Sequence, residues 1–179
     1  MDLNDRLIDL DLGSDTDPIM ESLPKIREIL YLLYEQTKQR PYPEFQPPDD
    51  LYLLSDQEVA HALMCVVYIE SHYRTLEEQL DVLARHIKDR LDVFHSWLCD
   101  NVYNEELKSE RKEKSKLDRD YLTASNELLR AERLLAFLRA QHAQWSLCYK
   151  GLSRAIELRK GYQWSGNDSG GKTPHRNPR

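Results

Sequence analysis

Apolar residues recur in alternating steps of four and three along two long stretches of this chain. The more regular stretch is the later one: Leu117, Tyr121, Ala124, Leu128, Ala131, Leu135, Leu138, His142, Trp145, Tyr149, Leu152 and Ile156, with His142 alone breaking the apolar run. A 3.5-residue period held over five heptads predicts a long coiled-coil-like helix that must bury its stripe against a partner. The earlier stretch repeats the pattern through Val66, Ile69, Tyr73, Leu76, Leu80, Leu83, Ile87, Leu91, Phe94 and Leu98. Its start is marked by the capping box Ser55-Asp56-Gln57-Glu58, with Leu54 and Val59 placed as a hydrophobic staple. Each stripe predicts a helix of about 60 Å, at 1.5 Å of rise per residue.

The segment between the stripes, Cys99 to Lys116, holds weak helix formers at Asp100, Asn101 and Asn104 and then almost continuous charge. We expect a reversal within 99–110, which folds 55–162 into an antiparallel hairpin. One continuous helix with an intermolecular partner is the alternative, since no Gly or Pro interrupts the connector. Upstream, Asp17-Pro18 reads as a helix start, and Leu23, Ile26, Leu30 and Leu33 give a short helix over 18–40 that ends at Arg40-Pro41. Residues 41–54 form a Pro-rich linker, read as a stiff spacer or a polyproline ligand. An acidic flexible arm (1–17) and a disordered basic tail (163–179) complete the chain, with Gly161 as the residue closing the last helix. The expected fold class is all-α: a long antiparallel helical hairpin, a short N-terminal helix and flexible termini. A two-helix hairpin has too little core for a stable monomer, so a homo-oligomer is expected.

Charge is distributed unevenly. The formal net charge is −6, and residues 1–24 hold seven acids against Arg6 alone, which accounts for all of it. From Arg159 onward five bases face only Asp168. Cys65, Cys99 and Cys148 are odd in number and lack metal-type spacing, which fits reduced thiols. With no basic-then-apolar leader and no run of membrane-spanning length, a soluble, cytoplasmic protein with no membrane partner is expected.

Few motifs carry chemistry. Gly166 and Gly171-Lys172-Thr173 have P-loop spacing, but a helix precedes them and Pro174 follows, so the strand–loop–helix context that cradles phosphate is missing. The six histidines show no paired ligand spacing, and no nucleophile–base set can be nominated; no enzyme, metal or cofactor is expected. His142 reads as a polar register device within its stripe. Glu110–Lys114 and Glu127–Arg130 read as exposed helical pairs. The bases Arg85, Lys88, Arg90, Lys112 and Lys116 are expected near one end of the hairpin, with Phe94, Trp97, Tyr103 and Tyr121 among them. Bases that track phosphates beside aromatics that stack nucleobases are the ingredients of a single-stranded nucleic-acid site. The connector holds as many acids as bases, so a merely solvated face stays open.

Lys88-Asp89-Arg90-Leu91-Asp92-Val93-Phe94, together with a closing helix bearing Leu128–Leu138, Trp145, Lys150 and Ala155-Ile156, resembles the UvsY family of phage recombination mediators. The resemblance covers roughly 73–162. It implies a protein that binds single-stranded DNA through Lys88 and Arg90, assembles into a ring-like oligomer, and helps load a RecA-type recombinase onto DNA covered by single-strand-binding protein. The family's Gly-containing turn is absent here, where His95-Ser96-Trp97 continues the helix. A structural coiled-coil adaptor or viral assembly protein is the competing expectation, and a small regulator acting through its acidic arm is a third.

Overall fold

The structure, a computed structural model, describes residues 19–50 and 53–167, the last seven as backbone only. The acidic arm and most of the P-loop-like pattern lie outside the described residues. Four α-helices and no strand occur among the described residues: α1 (Ile19–Lys38), α2 (Asp56–Trp97), α3 (Lys108–Leu117) and α4 (Arg119–Asn167). The all-α hairpin is present. Ion pairs give its direction: Arg139 meets Asp81 at 2.9 Å, His142 meets Glu77 at 2.7 Å, and Arg159 meets Asp56 at 3.3 Å. Rising numbers on α4 meet falling numbers on α2, so the two are antiparallel.

The α2 stripe is buried at every position from Val66 to Leu98. Its capping box forms as the sequence implies, with the Ser55 amide donating to a Glu58 carboxylate oxygen at 2.7 Å and the Ser55 hydroxyl accepting from the Glu58 amide at 3.3 Å. The Ser55 hydroxyl also donates to that carboxylate at 2.7 Å, and this bond, together with the one from the Ser55 amide, holds the Glu58 carboxyl below its usual pKa. On α4 burial concentrates at Ala124, Ala131, Leu135, Leu138, Trp145 and Leu152, then moves to Ala155 while Ile156 is only half-buried. A helix of 3.6 residues per turn drifts away from a strict seven-residue repeat over this length. Gly161 does not close the helix, which runs on to Asn167, because one interior Gly costs only about 1 kcal/mol relative to Ala.

Leu117 departs from its expected place in the stripe. It ends α3 and is 74% exposed. Asp118 then adopts extended backbone (φ −57°, ψ 137°), and its carboxylate accepts from the amides of Asp120 and Tyr121 at 2.9 and 3.2 Å. That side-chain cap gives α4 its own start, so the long stripe begins at Tyr121.

The hairpin is not alone. α1 lies in its groove and buries Ile19, Leu23, Ile26, Ile29, Leu30 and Leu33 in one cluster with both long helices. Arg27 meets Glu127, and Arg40 lies over the ring of Trp145 at 5.4 Å, so α1 runs parallel to α4. The Pro-rich linker is not an extended spacer. Tyr42 takes a left-handed φ of 51° and the Phe45 amide returns to the Tyr42 carbonyl at 3.0 Å. The Arg40 guanidinium collects the carbonyls of Tyr42, Pro43 and Phe45, and Phe45 packs 6.3 Å from Trp145. Proline set the expectation of stiffness; an arginine clamp and an aromatic anchor fold the segment onto the groove that α1 leaves.

Candidate nucleic-acid interface

The reversal between α2 and α4 is a small helical cap. α2 passes into a π-turn at Leu98–Val102, closed by a bond from the Tyr103 amide to the Leu98 carbonyl at 3.0 Å. α3 then folds back onto that turn and onto α4. The Cys99 thiol donates to the Ser115 hydroxyl at 3.4 Å and approaches the Arg111 carbonyl at 3.9 Å. Arg111 donates to the Glu106 carbonyl at 2.7 Å, and the Tyr103 hydroxyl donates to Asp118 at 3.3 Å. Desolvation and the Asp118 carboxylate both push the Tyr103 phenol up from its ordinary pKa. Lys114 pairs with Glu106, across the loop, where the sequence pointed to Glu110. The charge run from 104 to 120 is therefore partly spent on fastening the cap.

Against this frame the five expected phosphate contacts separate. Arg85 is ion-paired with Asp81, a carboxylate it shares with Arg139. Arg90 is half-buried beside His86 on α2. Lys88 is exposed on α2, and Lys112 and Lys116 are exposed one helical turn apart on α3. The aromatics separate in the same way. Phe94 is buried, Tyr103 is engaged with Asp118, and Tyr121 packs 5.6 Å from His95. Trp97 alone presents its ring, 51% exposed and stacked on Phe94 at 6.1 Å with 10° between planes. Asp100, Glu105, Glu110 and Glu113 are also exposed at this end. The cap thus offers a backed, flat indole among exposed lysines and exposed acids.

Three polar arrangements were not evident from the sequence. His142 sits between two carboxylates of α2, with Nδ1 2.7 Å from Glu77 and Nε2 3.5 Å from Glu70, at the edge of the seam. Glu127, expected on the surface, is 3% exposed and pairs with Arg27 at 2.7 Å and Arg130 at 3.2 Å. The signal was the seven-residue spacing of Ala124 and Ala131, whose small side chains let α1 approach, but reading it requires a third helix there. His72 and His86, two heptads apart on α2, are half-buried, and each leaves Nε2 without a partner. Burial pushes both imidazoles below their ordinary pKa; for His72 a bond to the Gln36 backbone acts the other way. Among the described residues no cluster of His, Cys, Asp or Glu could hold a metal ion, and no helix is long and apolar enough to cross a membrane. Cys65 and Cys148 have thiols pushed up by burial, which disfavours the reactive thiolate.

No family model matches the chain, and no curated protein or solved structure matches it.

Proposed function

We propose that this chain binds single-stranded DNA at the capped end of its hairpin and serves as a recombination mediator, helping to load a RecA-type recombinase onto DNA covered by single-strand-binding protein. One observation carries the DNA-binding part: the exposed, Phe94-backed ring of Trp97 shares the capped end of the molecule with the exposed lysines Lys112 and Lys116. Nucleobases stack on such a ring while ammonium groups follow the phosphates. The mediator role rests on the resemblance of Lys88–Phe94 and the closing helix to the UvsY family. Lys88 carries the family's phosphate-contact position as an exposed charge, and Arg90 serves from its flank beside His86.

Fluorescence anisotropy with labelled oligo(dT) tests the reading. Affinity should fall steeply from 50 to 200 mM salt, and replacing Lys88, Lys112 and Lys116 together by Ala should flatten the log–log salt slope by about 2, at roughly 0.7 per contacted phosphate. Trp97→Ala should weaken binding by about 1–3 kcal/mol. The exposed acids of the same cap favour the second reading, a structural coiled-coil adaptor whose charges are only solvated. Undetectable or salt-insensitive binding would leave that reading standing and remove the first.

A further inference from the structure

α4 has a second apolar face. Opposite its core stripe, Leu122, Leu129, Ala136, Ala140, Ala143 and Leu147 follow one another in steps of seven, four and three, and all are exposed, Leu147 to 68%. α1 and α2 both pack on the other side of the helix, through residues such as Glu127, Leu135 and Leu138. The charges along α4 divide in the same way. Arg130, Arg139 and Arg159, which lie toward α1, α2 and the linker, are ion-paired within the chain. Glu132, Arg133, Lys150, Arg154 and Glu157 surround the open face and make no ion pair among the described residues.

We propose that this face docks a second copy of the chain, with the two α4 helices antiparallel and Ala143 of one copy against Leu147 of the other. The charge order selects the partner and the direction. In that register Arg133 meets Glu157 of the second copy, and the two-fold axis repeats the pair. A parallel arrangement would instead set Arg133, Lys150, Arg154 and Glu157 each against its own counterpart, which is repulsive at every position. Size is complementary too. The large Leu147 falls on the small side chains of Ala140 and Ala143, which lets the helix backbones approach. An isologous contact of this kind closes on itself and gives a dimer rather than an open chain. The inference is independent of the nucleic-acid reading, because it uses a different face and a different element.

The test is light scattering of the full chain without nucleic acid, combined with engineered cross-links. The wild-type chain should show twice the monomer mass at tens of micromolar, and Leu147→Glu should be monomeric with an unchanged helical circular dichroism signal. Arg133→Glu should weaken the dimer several-fold, and adding Glu157→Arg should restore it. Under mild oxidation Ala143→Cys should cross-link well above the wild-type background. Leu129→Cys should not, since an antiparallel pair centred near residue 145 separates its two copies by about 48 Å. A monomer at every concentration overturns the proposal, as does cross-linking of Leu129→Cys as readily as Ala143→Cys.

Discussion

At the scale of single residues, two side chains decide whether the groove stays filled. Arg40 joins three linker carbonyls to the face of Trp145, and its charge also bears on Tyr73 of α2. Bonds from a charged donor contribute about 1.5–3 kcal/mol, so Arg40→Ala should lower stability by roughly 2 kcal/mol and raise protease sensitivity around 41–50, whereas Arg40→Lys should recover less than half because an ammonium cannot span the same carbonyls. His72 and His86 set a pH dependence. Both have folded-state pKa values lowered by burial from the ordinary 6.5, so the unfolded chain binds protons first as pH falls. Their contribution is complete above about pH 6.5 and is lost as pH drops through the lowered values. Thermal melts at pH 7.5 and 5.5 should therefore show a fall in midpoint that shrinks in the His72→Gln, His86→Gln double variant. An equal fall in that variant would assign the effect to other groups.

At the scale of elements, the helices that announce themselves in the sequence are those whose reasons are local. α2 carries its own capping box and a long apolar stripe, and every position of that stripe is buried. Antiparallel pairing of α2 with α4 follows from two stripes of similar length and a connector poor in helix formers. Less local features escape. α3 is a helix made almost wholly of charge, and it forms because Cys99, Glu106 and Asp118 bind its ends and flank, which no periodicity records. The same holds at the candidate site: the lysines are visible as lysines, but which charges are spent on Asp81 or Glu106 depends on contacts across the cap. Trp97 is separated from Phe94 and Tyr121 only by which way each helix turns. The boundary between α3 and α4 depends on one carboxylate. Asp118→Ala removes the acceptor for two helix amides and should cost about 1 kcal/mol, read as a lower urea midpoint with an unchanged slope. Asp118→Asn should be nearly neutral, since an amide oxygen also caps.

At the scale of the whole molecule, the decisive fact is that α1 shares one core with the hairpin rather than hanging from it. Leu33 and Ile26 are fully buried in the same cluster as Ile69, Leu80, Leu83 and Leu138. Two helices of this length would expose one side of their shared stripe along its whole extent; the third helix and the Phe45 anchor cover it, and Arg27 neutralises the buried Glu127 carboxylate beneath. Unfolding should then be one cooperative event. Circular dichroism, which reports all helices, and tryptophan fluorescence, to which Trp97 at the cap and Trp145 under the linker both contribute, should give superimposable urea curves. Leu33→Ala should shift both together by about 2–5 kcal/mol, the range for a large-to-small change in a packed core. If α1 were an appendage, the same substitution would melt some twenty residues of helix early and leave the rest of the signal in place. A biphasic curve in Leu33→Ala would therefore separate α1 from the core, while a single displaced transition binds the short helix, the folded linker and both long helices into one unit on which the cap and the open face of α4 are displayed.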